Sequence, residues 1–140
     1  MTTKQVQVVH PDGYEVEVAS GAMTRHAGVS KSLCGAEGIH LAIARIPPGC
    51  RSSAHYHVNC ESAIYVVKGR GHFLVGERLE KSLPIGPGDF IYVPPGAVHA
   101  PVNDGPEVME LIVARNTPVE IVVEYDTERG VPRATLSAGG

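Results

Sequence analysis

The sequence predicts an all-β fold, a small jelly-roll β-barrel, and three observations carry that prediction. Apolar residues come in short runs at roughly 8–12-residue spacing, the pattern of a sandwich or barrel. Between the runs the punctuation is dense, with 16 Gly and 11 Pro in 140 residues. No Pro- and Gly-free stretch of ten or more residues repeats its apolar groups at i, i+3, i+4 and i+7, so no long amphipathic helix is expected.

The runs follow in order. Tyr14–Ser20, YEVEVAS, alternates apolar and acidic residues with the period of a half-buried strand. Ile39–Ile46, IHLAIARI, alternates less cleanly and is stopped by Pro47–Gly49. Ala63–Gly69 and Gly71–Glu77 flank Arg70 and read as two strands joined by a tight, Gly-rich turn. Asp89–Gly96, DFIYVPPG, is a strand ended by proline, and Val108–Asn116 and Val119–Tyr125 close the series around Pro118. The expected organisation is one domain over residues 1–140. It comprises an N-terminal strand region (1–20), a barrel core (39–125) and a loose tail (126–140) that holds few large apolar groups.

Composition bounds the function. A 43% apolar and 19% charged chain suits a globular domain. A net charge of −3 offers no electrostatic case for nucleic acid or an anionic membrane. Three cysteines without paired spacing argue against a disulfide framework and for a reduced, cytoplasmic setting.

The chemistry concentrates in Gly49–Gly69, GCRSSAHYHVNCESAIYVVKG. In a strand, His55 and His57 project from one face about 6–7 Å apart, close enough for two imidazoles to share an ion. Solvated edge histidines are the alternative. Glu61 keeps the odd parity of the two histidines, and histidine with carboxylate suits a borderline divalent ion such as Zn, Fe(II), Mn or Ni. A second stretch, Gly88–Asn103, GDFIYVPPGAVHAPVN, places His99 just after a proline-terminated strand.

Together the two stretches resemble the signatures of the cupins, G-x5-H-x-H-x(3,4)-E-x6-G and G-x5-P-x-G-x2-H-x3-N. Gly88, Pro94, Gly96, His99 and Asn103 stand at the spacing of the second, and Gly49, His55, His57, Glu61 and Gly69 match the first. The segment between the motifs, residues 70–87, is of ordinary length. The resemblance implies a cupin barrel, a double-stranded β-helix, with one divalent metal ion inside, held by His55, His57 and His99 with a fourth ligand. This chain departs at that ligand: from Glu61 to Gly69 the interval is one residue longer than the family's, which a one-residue slip would resolve in favour of Ser62. Glu61 is expected to complete the shell through a β-bulge that turns it inward and restores Ile64 and Val66 to the core. The losing register puts Ser62 inward and leaves three histidines alone.

His72, His40 and Arg45 are the remaining candidates for the substrate cavity. Arg45 shares parity with Ile39, Leu41 and Ile43, so it is either an inward cation for an acidic substrate or half of a salt bridge at the barrel mouth. The resemblance implies three kinds of activity: a dioxygenase, a lyase or isomerase using the metal as Lewis acid, or a non-catalytic binder of a small metabolite or sugar. An enzyme acting on a small oxygenated or acidic molecule is the first expectation. The partner implied is a second copy of the chain, a homodimer joined through edge strands.

Overall fold

A computed structural model of the chain describes residues 4–17 and 19–138, with side chains up to residue 133. It is built from twelve strands: β1 (Glu15–Glu17), β2 (Thr24–Val29), β3 (His40–Ile46), β4 (His55–His57), β5 (Ser62–Lys68), β6 (Gly71–Val75), β7 (Lys81–Ile85), β8 (Phe90–Val93), β9 (His99–Asn103), β10 (Met109–Arg115), β11 (Glu120–Asp126) and β12 (Val131–Ala138). Among the described residues one α-helix, α1 (Lys31–Cys34), is capped by the Ser30 hydroxyl accepting from the Leu33 N–H. The strands form two six-stranded antiparallel sheets, β1-β2-β3-β10-β5-β8 and β12-β11-β4-β9-β6-β7. This is the jelly roll the punctuation predicts. No helix among the described residues is long and apolar enough to cross a membrane.

The core lies between the inner faces, where Ile46, Val66, Phe73, Met109 and Leu111 are each at most 2% exposed. Burying side chains of this size is worth about 1.5–3 kcal/mol each, and that energy sets strand parity. In β3 the even residues His40, Ala42, Ala44 and Ile46 are buried, not the odd set that includes Arg45.

Three expectations are corrected. The runs around Arg70 are not a hairpin, because β5 lies in one sheet and β6 in the other. The chain turns the barrel corner at Gly69 and Gly71. A Cβ on Gly69 would stand 2.7 Å from the Met109 Cα, and one on Gly71 would stand 1.9 Å from the Val102 carbonyl oxygen, so only glycine passes there. The segment 126–140 is not a loose tail through its described part. β12 pairs along β11 from Asp126↔Val131 to Glu120↔Ala138, its backbone hydrogen bonds closing that side of the sheet. Among the described residues of the N-terminal region, finally, the strand is confined to Glu15–Glu17, and its phase is inverted. Val16 is 74% exposed while the Glu17 side chain is buried, because Glu17 meets Arg25 and His40 inside.

Candidate metal centre

His55 and His57 come from β4, a three-residue strand held between β11 and β9. The register places His55 directly opposite His99, and the tighter cross-strand spacings, near 5 Å between Cβ atoms, bring three imidazoles together. Their ring centroids are 4.4 Å (His55–His99), 5.2 Å (His57–His99) and 5.3 Å (His55–His57) apart. All three residues are buried, and one ring nitrogen of each lies within 4.8 Å of the others. The turn before His99 is tied to the first histidine strand: the Gly96 N–H donates to the His57 carbonyl at 2.8 Å. Gly96 takes φ +78°, a conformation that glycine adopts without steric cost.

The outer nitrogens are held as well. Nδ1 of His55 donates to the Ser53 carbonyl at 2.7 Å, and Nδ1 of His99 to the Ala97 carbonyl at 2.8 Å. A carbonyl only accepts, so Nδ1 carries the proton and Nε2 keeps its lone pair. Nδ1 of His57 faces Glu120 Oε2 at 2.9 Å, a close polar contact without the direction of a straight hydrogen bond. Burial lowers the His55 pKa to about 4 and that of His99 well below the ordinary histidine value. Neutral rings with fixed tautomers are the state in which imidazole binds a metal. Phe73 lies nearly parallel to the His99 ring, 5.4 Å away at 10°, and limits its rotation.

The three rings open onto a cavity of about 40 Å³ lined by Arg25, Ser62, Met23, Ile64, Val93 and Leu111, among others. That volume holds an ion with one or two waters.

The remaining expectations fall differently. Glu61 is exposed; it accepts a 2.7 Å hydrogen bond from the Tyr92 hydroxyl, and its own N–H donates to Asn116 Oδ1. No bulge turns it inward: β5 starts at Ser62 and pairs regularly with β8, Ser62↔Val93 through Tyr65↔Phe90. Cys60, Ser62, Ile64 and Val66 are therefore the buried set, and Ser62 occupies the place expected of the carboxylate. Apolar burial of Ile64 and Val66 decided this parity. His72 points away from the cavity, half exposed, and bonds Asp104. Arg45 pairs with Glu110 at 3.2 Å at the barrel exterior. His40 is buried but is turned to Glu17 Oε2 at 2.9 Å and is not among the cavity's lining residues.

Sequence reasoning missed the charged group behind the histidines. Arg25 bridges Glu17 Oε1 (3.1 Å) and Glu120 Oε1 (2.8 Å), and Arg115 Nη1 also reaches Glu120 Oε1 at 3.1 Å. The chain His40–Glu17–Arg25–Glu120–His57 thus runs buried from one sheet to the other. Burial alone would raise the Glu120 pKa, but His57 and the two guanidiniums hold it well below the carboxylate range. The missed signal was phase. Arg115 continues the inward series Met109, Leu111 and the partly buried Val113 of its own strand, and a charge in step with a core face has a buried partner. His57, Cys60 and Glu120 form a second cluster of donor atoms within 4.8 Å. Two arginines on Glu120, and a Cys60 thiol that burial pushes up to about 11, disfavour a cation there.

A family model described as a cupin domain matches residues 42–115. A glucose-6-phosphate isomerase from Thermococcus onnurineus is 32% identical over 95 residues, 64% of this chain and 49% of its own length. The chain spans about half the length of the curated relatives it matches. Among solved structures, the polyketide cyclase RemF from Streptomyces resistomycificus aligns at a TM-score of 0.68 and 21% identity over 80% of both chains. A cupin-superfamily sugar phosphate isomerase from Silicibacter pomeroyi aligns at a TM-score of 0.65 and 20% identity, over 86% of this chain and 82% of its own.

Proposed function

The chain belongs to the cupin domain family, and from that premise we propose that it is a metal-dependent enzyme acting on a small oxygenated or acidic metabolite. One divalent ion (Fe, Zn, Mn or Ni) would be held by His55, His57 and His99. The carrying observation is the set of three buried imidazoles, each with a ring nitrogen within 4.8 Å of the others, of which His55 and His99 donate Nδ1–H to Ser53 and Ala97 and keep their Nε2 lone pairs free. Those donors fit a borderline divalent ion. When bound, such an ion supplies Lewis acidity toward a carbonyl, hydroxyl or carboxylate oxygen.

The residues around the triad do the rest. No carboxylate lines the cavity among the described residues, so the bound ion keeps its charge and favours an anionic or oxygen-rich ligand. Arg25 lines the wall with its charge met by Glu17 and Glu120, and the Ser62 hydroxyl there can donate and accept a hydrogen bond. The apolar walls exclude water and sharpen these interactions. Isomerase or lyase chemistry is the first assignment, supported by the isomerase relatives of the matched segment. The protein is read as a homodimer.

Elemental analysis of protein purified without chelator tests the centre. About one equivalent of metal is expected, lost in His57→Ala and His99→Ala; full metal content in both variants overturns the proposal. Oxygen uptake on adding a diketone or catechol to an iron-loaded preparation replaces the isomerase assignment with a dioxygenase. Tight binding of a ligand that mass spectrometry recovers unchanged replaces it with a binder.

A further inference from the structure

A second cavity, of about 300 Å³, lies where the chain leading into β4 runs beside the end of β11 and the start of β12. It is lined by Arg51, Ser53, Glu124, Tyr125, Thr127 and Arg133, among others. Among the described residues Ala54 is the one lining side chain without a polar atom, and none of the lining is shared with the cavity of the three histidines. The lining carries two cations against one carboxylate, a local attraction for anions in a chain whose net charge is −3.

The walls are fixed by contacts of their own. On the β4 side the Arg51 carbonyl accepts from the Ala22 N–H, the Ser52 N–H donates to the Pro101 carbonyl, and the Ser53 N–H donates to the Ser20 hydroxyl. Gly21 packs so closely that a Cβ there would stand 2.8 Å from the Arg51 carbonyl oxygen. On the other side the ladder between β11 and β12 slips by one residue. Glu124 faces Ala134 and Tyr125 faces Pro132, which leaves Arg133 out of the ladder. A bulge of this kind re-aims a side chain, and Arg133 lines the cleft.

Among the described residues neither Arg51 nor Arg133 makes an ion pair. The neighbouring Asp126 carboxylate is engaged elsewhere, its Oδ1 accepting from the Glu128 and Arg129 N–H groups at 3.0 and 3.1 Å. Two guanidiniums bordering one polar cleft suit a phosphate, to which each can donate two parallel hydrogen bonds. Glu124 repels a bare dianion but accepts from a hydroxyl, so the fitting occupant carries both groups. We propose that this cleft is a second small-molecule site, taking a hydroxyl-bearing phosphate monoester. Arg51 and Arg133 hold the phosphate and Glu124 a ligand hydroxyl. The volume stands at the lower end of the roughly 300–1,000 Å³ of small-molecule pockets. The site backs onto the metal centre through one residue, Ser53, whose carbonyl holds His55 Nδ1, but it uses no metal ligand.

Titration calorimetry with glycerol phosphate and with inorganic phosphate tests it. The wild-type chain is expected to bind both, glycerol phosphate more tightly, with affinities that fall as sodium chloride is added. Arg51→Gln and Arg133→Gln should each weaken both ligands by at least about tenfold. Their circular dichroism spectra should be unchanged, because both side chains are exposed. Glu124→Gln should erase the preference for glycerol phosphate, and chelator-treated wild type should bind as before. Absence of binding to the wild type, or affinities unchanged in both arginine variants, overturns the site. Loss of binding on chelation also overturns it, by moving the phosphate to the metal centre. A preference that is missing in the wild type or survives Glu124→Gln overturns the hydroxyl assignment.

Discussion

The two histidine-bearing segments of the barrel behave differently. In Gly88–Asn103 the matched Gly88, Gly96 and Asn103 each fix a turn. Gly88 takes φ +91° and donates to the Val66 carbonyl, and Gly96 turns the chain under His57. Asn103 is fully buried and donates to the carbonyls of Ile46 and Glu107. In Gly49–Gly69 the chain leaves one sheet after His57 and enters the other at Ser62, and Glu61 falls on that crossing. Asn59 brackets the crossing by donating to the Val119 carbonyl and accepting from the Ile121 N–H, and Asn116 receives the Glu61 N–H. A motif that prescribes turns is local and transfers with its spacing. One that prescribes facing across a change of sheet depends on contacts elsewhere.

The largest expected effect breaks both segments at once: His99→Ala, or His57→Ala, is expected to abolish stoichiometric metal binding, read by elemental analysis of the folded variant. Next, Glu120→Gln removes the carboxylate behind the first segment only. It should weaken metal affinity by about 10–100-fold. It should also lower stability by about 3–5 kcal/mol, because two buried arginines lose their counter-charge; chelator competition and denaturant titration read the two.

Acid separates the histidines from the rest. In metal-free protein His55 binds its proton near pH 4, against about 6.5 when unfolded. The unfolded chain therefore takes up more protons between those values, and stability is full above pH 6.5 and falls as pH drops toward 4. The loss is of order 3 kcal/mol for His55, and bound metal should suppress it; melting temperatures across that window, with and without metal, are the measurement.

The finest tests concern parity. Ser62→Glu puts a carboxylate where the extra residue removed one, and should tighten zinc or manganese by about tenfold, some 1.4 kcal/mol, while destabilising the metal-free protein. Glu61→Ala should change metal affinity and stability by less than about 0.5 kcal/mol. If Glu61→Ala releases the metal and Ser62→Glu does nothing, the inward register is wrong.

Much of this was legible beforehand. The short apolar runs gave β3, β5, β6, β8, β10 and β11 nearly as observed; a two-residue spacing singled out His55 and His57, and the resemblance to the cupin motifs added His99. β2, with a glycine and three polar or charged residues among six (TRHAGV), and β7, which carries Pro84, lack a clean alternation. Their extended form comes from ladder hydrogen bonds to β3 and β6. Arg25, Glu17, Arg115 and Glu120 escaped notice because each looks like a surface charge alone. Only strand pairing shows that their charges cancel inside.

By itself, then, the sequence determined the jelly roll and the pairing of His55 with His57 on one strand face, since glycine corners, strand alternation and a two-residue histidine spacing act over a few bonds; His99 was marked by the resemblance to the cupin motifs. The tertiary structure alone decided which face each strand turned inward, and with it the exclusion of Glu61, the choice of Ser62 and the ion network behind His57. The physical reason is that parity is chosen by the total burial of a strand against its neighbours. Burying Ile64 and Val66 outweighs the preference of one carboxylate.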